Sequence, residues 1–373
     1  MKPGPKVALV AVELGRIRRG FERTFGELFA AIRNDLDVTL FKAGGTCGPR
    51  EKIPALLNPA TAIARALPLG RLAGQGEYRD YKRDCLAFAS TLLPELVRGR
   101  FDVIHTIDPP FAKVLGRLHP MFCPRTRLLF TEGCVMPLEA YPRCAHVHHV
   151  GAVTFAEAAR MGFPESRMTL VPCGVHTARF AQPYRRAELR KKYGISDKTF
   201  VILVVSAVKR LQKRVDYIIE EVSKMQGDFL LWIDGNPEDP TVVELAQSRL
   251  GPKQRITHVP TADVPELYHC ADVMVHGALS EAFGLAVIEA ISSGVMVLTH
   301  NAPHFQWLLQ DPECMVDMSQ PGALFSRLQE LAGHREGLAS RAHQRAEGAR
   351  QRFDWQAVKP HYLDMYRRVA ALN

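Results

Sequence analysis

"VHGALSEAFGLAVIEAISSG", residues 275–294, sets two glutamates eight positions apart around a Phe-Gly-Leu turn. The apolar run leading into it, "ADVMVH", reads as a strand that stops near His276. Gly284 permits a sharp turn, and the following pattern predicts a helix from Gly284 or Leu285 through Ser292. Glu281 then falls in the loop and Glu289 on the first or second helical turn. Strand, loop and helix in this order is the repeating unit of a parallel sheet. The free N–H groups at such a helix start attract phosphate, and the helix dipole adds to the attraction. The amides of Phe283, Gly284 and Leu285 are therefore candidates for receiving a diphosphate. A carboxylate one turn further on, Glu289, can accept ribose hydroxyls, while Glu281 can face sugar hydroxyls on the other side. The spacing suits a ligand with a sugar, a diphosphate and a ribose in sequence.

The same grammar extends in both directions. "TFVILVVSAV", "DFLLWIDG", "RITHVP" and "VMVLTH" read as further strands, separated by helical patterns such as "KRVDYIIEEVSKM" and "VPELYHCA". The first half repeats it, with strands "KVALVAVEL", "DVTLFKAG", "FDVIHTI" and "TRLLFTEG" and helices "FERTFGELFAAIRN" and "EYRDYKRDCLAFASTLLPELVRG". Residues 43–76 read as irregular, a segment suited to touching an acceptor or a membrane. "VPCGVHTARFAQPYRR", with two prolines and a glycine, marks a linker between two doubly wound units. The end, "RFDWQAVKPHYLDMYRRVAALN", predicts an amphipathic helix interrupted near Pro360. Two such domains leave a cleft at the carboxyl ends of their strands, where ligands of open α/β sheets bind.

Composition sets outer limits. The chain has 373 residues, of which 47% are hydrophobic and 23% charged, as in ordinary globular proteins. At about 150 residues per domain this length gives two domains. No apolar run approaches the roughly 18–20 residues that span a bilayer, and the start lacks the pattern of a signal peptide. The eight cysteines are scattered without a Cys-x-x-Cys pair, which favours reduced thiols and a cytoplasmic setting. The net charge of +9 is uneven: 25 Lys plus Arg face 16 Asp plus Glu up to Arg179, and 23 face 23 beyond it. A basic first half suits an anionic partner, such as the inner face of a membrane, or is surface composition alone.

In these surroundings the glutamate pair resembles the Glu-x7-Glu motif of family 4 retaining glycosyltransferases of the GT-B fold. "VPCGVHTARF" is similar to that family's linker, and "VSAVKRLQKRVDYIIEEV" to its strand, basic loop and helix. "LYHCADVMVHGALSEAFGLAVIEAISSGVMVLTH" follows its final block. "FDWQAVKPHYLDMYRRV" resembles the helix that returns to the N-terminal domain. The resemblance is strong over residues 170–310 and weak before them. It implies an α/β chain of two Rossmann-like domains facing across a cleft: an acceptor-binding domain over 1–178, a donor-binding domain over 179–355 and a returning helix over 356–373. It implies a nucleotide-diphosphate sugar, a UDP- or GDP-sugar, as donor. A glycan, glycolipid or small molecule would be the acceptor, with no obligatory metal and no nucleic-acid partner. Glu281 would face the donor sugar, Glu289 would bind the ribose, and Lys213 would neutralise the diphosphate.

There are departures. The family's arginine six residues before that lysine is Ala207 here, and Lys209 or Arg210 are the candidates to replace it. The glycine-rich loop after the first strand is reduced to Gly15 and Gly20, so Gly15 is the candidate phosphate neighbour. Thr131 and Glu132 stand where many members carry a histidine. Gly235 keeps part of a glycine-rich turn. His105 and Asp108 end a strand and are placed to touch an acceptor. "CAHVHHV", with Cys134 and Cys144 nearby, has no zinc spacing and reads as a strand entry with solvent-exposed histidines. Two other readings carry weight: a phosphorylase or sugar-phosphate synthase on the same fold, and a non-catalytic basic protein that binds membrane or nucleic acid and retains a nucleotide-sugar pocket.

Overall fold

The computed structural model describes residues 4–16, 20–54, 77–133, 136–182, 184–339 and 341–372. The chain divides into two compact units, Met1–Gly174 with Val358–Asn373, and Val175–Ala357.

The first unit is built on seven parallel strands in the order β3-β2-β1-β4-β5-β6-β7. These are β1 (Lys6–Ala11), β2 (Asp37–Lys42), β3 (Glu51–Lys52), β4 (Val103–Thr106), β5 (Arg127–Glu132), β6 (His146–His149) and β7 (Met168–Leu170). β1 is apolar from Val7 to Ala11 and fully buried, as a strand covered on both faces requires. Its sides pair with β2 and β4, so the strand order reverses there. Glu51 and Lys52 pair with Leu40 and Phe41, so part of the segment expected to be irregular forms an edge strand. Residues 55–76 of that segment lie outside the described residues, as does Cys134.

The second unit repeats the plan with six parallel strands in the order β10-β9-β8-β11-β12-β13. They are β8 (Phe200–Val205), β9 (Phe229–Asp234), β10 (Gln254–Thr257), β11 (Val273–His276), β12 (Met296–His300) and β13 (Met315–Val316). Here the order reverses between β8 and β11, which pair through Ile202–Val273 and Leu203–Met274. Asp272, just before β11, gathers the amino ends of these strands. Its carboxylate accepts from Arg186 at 2.7 Å, Arg190 at 2.8 Å, Arg335 at 2.8 Å and the Val201 N–H at 2.7 Å.

The C-terminal prediction needs correcting. The break comes at Asp354, between helices Ala342–Phe353 and Trp355–Ala370, and Pro360 lies inside the second. Asp354 is extended at φ −63°, ψ 144°. Its carboxylate accepts from Thr177 Oγ1 at 2.6 Å and from the Gln356 N–H at 2.9 Å, so the side chain serves as a cap and a tie at once. Pro360 lies past the first turn of its helix and forgoes the bond to the Gln356 carbonyl, yet the helix continues through it. From Val358 the helix belongs to the first unit, where Tyr362, Met365, Tyr366 and Val369 are buried.

Candidate active site

A reversal of strand order opens a crevice between the loops that leave the two strands at their carboxyl ends. In the second unit these are the loop after β8, which carries Lys213, and the loop after β11, which carries Glu281. The structure brings the two together: Lys213 Nζ lies 2.5 Å from Glu281 Oε2, with both side chains largely covered. Gly277 makes the approach possible, since a Cβ there would stand 2.8 Å from the Lys213 carbonyl oxygen. The loop around Lys213 is strained. Gln212 and Arg214 on either side hold left-handed backbone, φ 68° and 49°, at a cost of about 1–2 kcal/mol each. The Arg214 N–H donates to the Arg210 carbonyl at 2.9 Å, and its guanidinium reaches the Met318 carbonyl at 3.1 Å over the Tyr217 ring.

His276, the last residue of β11, completes the cluster. Buried at the end of an apolar strand, its Nε2 donates to the same Oε2 of Glu281 at 3.2 Å. Burial pushes the Glu281 carboxyl up. The His276 hydrogen bond and the Lys213 charge outweigh that and hold it well below the usual carboxylate range. Glu281 is therefore a carboxylate at neutral pH, with Oε1 unengaged among the described residues. Sequence reasoning missed His276. Its signal was a polar residue closing the otherwise apolar "ADVMV" strand. It also missed His304, whose Nε2 donates to the Phe283 carbonyl at 2.9 Å, leaving Nδ1 buried with no partner among the described residues.

The helix predicted after the turn spans Leu285–Ser292, with Gly284 at its N-cap in left-handed conformation, φ 95°. Among the described residues no side chain caps it, and the Val287 N–H donates to the Gly284 carbonyl at 3.0 Å. Glu289 sits on the second turn with 3% of its surface exposed, and Tyr268 donates to its Oε2 at 3.1 Å. Lys209 and Arg210 turn elsewhere. Lys209 pairs with Glu238 at 3.1 Å, and Arg210 with Asp216 at 3.2 Å and Asp239 at 3.8 Å. Gly235 is explained by crowding, because a Cβ would lie 1.9 Å from the Ser206 carbonyl oxygen.

In the first unit Gly15 has φ 86°, and a Cβ would meet the Gly44 carbonyl oxygen at 2.1 Å. Contact with the loop after β2 thus accounts for this glycine. Asp108 is buried, accepting from the Val12 N–H at 2.8 Å and from Tyr81 Oη at 2.7 Å. The histidines of "CAHVHHV" are not solvent-exposed: His146, His148 and His149 have 5%, 1% and 0% exposure. β6 is an interior strand with neighbours on both sides and layers on both faces, so none of its side chains can reach water.

His148 is satisfied by a directed chain of hydrogen bonds, whereas His146 Nδ1 and His149 Nε2 are buried with no partner among the described residues. His148 Nε2 donates to the Val171 carbonyl at 2.8 Å, so its Nδ1 must accept from Thr131 Oγ1 at 2.8 Å. Thr131 Oγ1 then accepts from His105 Nε2, whose Nδ1 accepts from Tyr366 Oη at 2.7 Å. Beside this chain His149 Nδ1 meets Glu132 Oε2 at 2.7 Å. Burial pushes the His148 and His146 imidazoles down to about 3 and about 4. Among the described residues no cluster of three or more His, Cys, Asp or Glu could hold a metal, and no helix is long and apolar enough to cross a membrane.

Comparison with known proteins fits this geometry. Residues 185–351 match the family model "Glycosyl transferases group 1". Over 162 residues the chain is 26% identical to lipopolysaccharide glucosyltransferase WaaG of Escherichia coli (strain K12), covering 42% of this chain and 43% of that one. The chain spans about half the length of the curated relatives it matches, 43% to 56% for three of them. Among solved structures, sucrose-phosphate synthase from Thermosynechococcus elongatus superimposes with a TM-score of 0.79 at 17% identity, over 98% of this chain and 99% of that one. Anabaena HepE in complex with UDP and glucose gives 0.76 at 14% identity, over 97% and 99%. The fold is GT-B, and the resemblance read from the sequence to GT-B glycosyltransferases holds.

Proposed function

We propose that this GT-B chain is a retaining glycosyltransferase that moves a hexose-type sugar from a nucleotide-diphosphate donor to a glycan, glycolipid or small-molecule acceptor. The observation that carries the reading is the meeting of Lys213 with Glu281 beside the uncapped start of helix Leu285–Ser292, at the crevice between β8 and β11. The amides of Phe283, Gly284 and Leu285 and the Lys213 ammonium supply positive charge for a diphosphate. That charge matters most as the glycosidic bond breaks and the leaving phosphate gains negative charge. A carboxylate has about four acceptor sites, so Glu289 can hold ribose hydroxyls while keeping Tyr268.

Glu281 is ionised and held on one oxygen by two donors, which suits it to accept sugar hydroxyls or to stabilise positive charge at the reacting carbon. With that oxygen engaged, front-face attack is the better route to retention than a covalent Glu281 intermediate. The departing phosphate oxygen would take the acceptor proton. The HepE complex with UDP-glucose supports a nucleotide-sugar donor of this type, and UDP- and GDP-sugars are the first to try. The test is a donor screen that scores nucleoside diphosphate release in the wild type and in Lys213→Ala. Release with at least one donor, lost or strongly reduced in the variant, supports the reading. No release from any donor removes it.

A further inference from the structure

Glu281 Oε2 is shared by two donors of different kinds. Lys213 carries a permanent charge from the loop after β8, and His276 is a titratable imidazole at the end of β11. In the free protein the Lys213 ammonium and the Glu281 carboxylate balance each other. A diphosphate recruited by Lys213 upsets that balance, because each phosphoryl group brings negative charge to an ammonium already committed to a carboxylate. Whether Lys213 turns to the phosphate or bridges both anions, Glu281 is left with less positive charge than before. We propose that His276 makes up the deficit: binding of the donor diphosphate is coupled to protonation of His276, which then holds Glu281 in place as an imidazolium.

The geometry fixes where the proton goes. A carboxylate only accepts, so His276 already donates through Nε2, and the incoming proton, taken from solvent, enters at Nδ1. No bond between heavy atoms changes. The groups facing His276 favour this outcome. Glu281 touches it directly, and Lys213 reaches the same oxygen from the loop after β8. From helix Pro303–Leu309, the Phe305 ring lies 5.6 Å away and His304 also feels the charge of Glu281. Burial keeps His304 neutral, and its one N–H is committed to the Phe283 carbonyl, so it cannot take over Glu281. Of the two imidazoles, only His276 touches the carboxylate. His276 is thus a positioning residue. It keeps the Glu281 carboxylate oriented, with Oε1 turned to the sugar, during the step in which Lys213 is drawn to phosphate.

This inference rests on the donor reading above, and the experiment separates the two. Binding of UDP, with GDP and ADP beside it, is measured by titration calorimetry in buffers of different ionisation enthalpy, for the wild type and His276→Gln. Glutamine places an amide donor near the position of Nε2 and does not titrate. The expected result is uptake of up to about one proton per nucleotide, absent in His276→Gln. The difference between the two proteins cancels the titration of the nucleotide itself. Should the variant fold poorly, nitrogen-15 spectra of the wild-type imidazoles report the same event, His276 shifting from neutral to doubly protonated as nucleotide is added. Nucleotide binding without uptake, with equal uptake in both proteins, or with an unshifted His276 resonance overturns the coupling and leaves the donor reading standing. If no nucleoside diphosphate binds at all, the donor reading falls and the coupling falls with it.

Discussion

At the scale of single residues, the two glutamates should fail differently when altered. Glu289→Gln keeps one acceptor oxygen and loses the charge that strengthens bonds to hydroxyls. It is expected to raise KM for the donor and weaken binding of the bare nucleoside diphosphate. Glu281→Gln should lower kcat, because its target is the sugar. It also frees Lys213 from a 2.5 Å ion pair, so nucleotide affinity should stay level or tighten. Calorimetry with the nucleoside diphosphate, run beside initial rates, distinguishes them. Equal loss of nucleotide affinity in both, with kcat untouched, would erase this division of labour. Lys213→Ala removes a charge-assisted contact to phosphate and should cost on the order of 1.5–3 kcal/mol in kcat/KM. The placement of Glu281 in the loop and of Glu289 on the helix was legible because local spacing carries it. The contact of His276 with Glu281 was not, because a histidine closing "ADVMVH" reads as packing until the loop after β11 brings the carboxylate back onto the strand end. The ion pairs of Lys209 and Arg210 were not legible either. Glu238 and Asp239 are about 30 residues away in sequence, and only Asp216 is a near neighbour of Arg210 along the chain.

Elements depend on ties that no periodicity announces. Three guanidinium groups converge on Asp272, and Arg190 among them is 1% exposed. Asp272→Ala would leave these charges facing each other without a counter-ion. Removing one partner of a buried ion cluster costs about 3–5 kcal/mol. A fall in the urea midpoint of that order, with the slope unchanged, is the expected reading. A loss below about 1 kcal/mol would show that water enters and screens the cluster. The strands and helices themselves were readable from apolar runs and from turn residues, down to Leu285–Ser292 and Glu77–Gly99. Two features were not. The histidines of β6 look polar in a sequence, and only a chain of partners on β5, β7 and the last helix makes them interior residues. The break at Asp354 competes with Pro360, the stronger signal, and wins because Thr177 lies alongside it in space.

For the whole molecule, acidity and salt are the informative variables. His148 and His146 have folded values pushed down by burial, to about 3 and about 4. Their contribution to stability is complete above the unfolded value near 6.5 and is lost as pH falls from there toward those values. At about pH 4.5 His148 alone should cost on the order of 2–3 kcal/mol relative to neutral pH. That loss begins above the range in which carboxylates titrate. Urea midpoints at the two conditions check it, and equal midpoints would mean that the strand is hydrated. The excess charge of the first 179 residues is tested with anionic vesicles. If it serves a membrane, binding should weaken with salt, since the Debye length falls to about 3 Å at 1 M. Absent or salt-insensitive binding leaves it as surface composition.

The first unit is written in two pieces, Met1–Gly174 and Val358–Asn373, with the whole of the second unit between them. A ribosome therefore finishes the second unit before it has released the residues that complete the first. Tyr366, the donor that starts the histidine chain, lies in the second piece. During synthesis the early-made sheet must wait, with His105 Nδ1 short of its partner and the apolar seat of the last helix uncovered. A nascent chain in that state is exposed to aggregation for as long as about 200 residues take to translate, some 10–40 s at 5–20 residues per second. The residues of the second unit are thus complete before those of the first. Removal of Val358–Asn373 would spare the proposed donor site while taking away part of the amino-terminal unit.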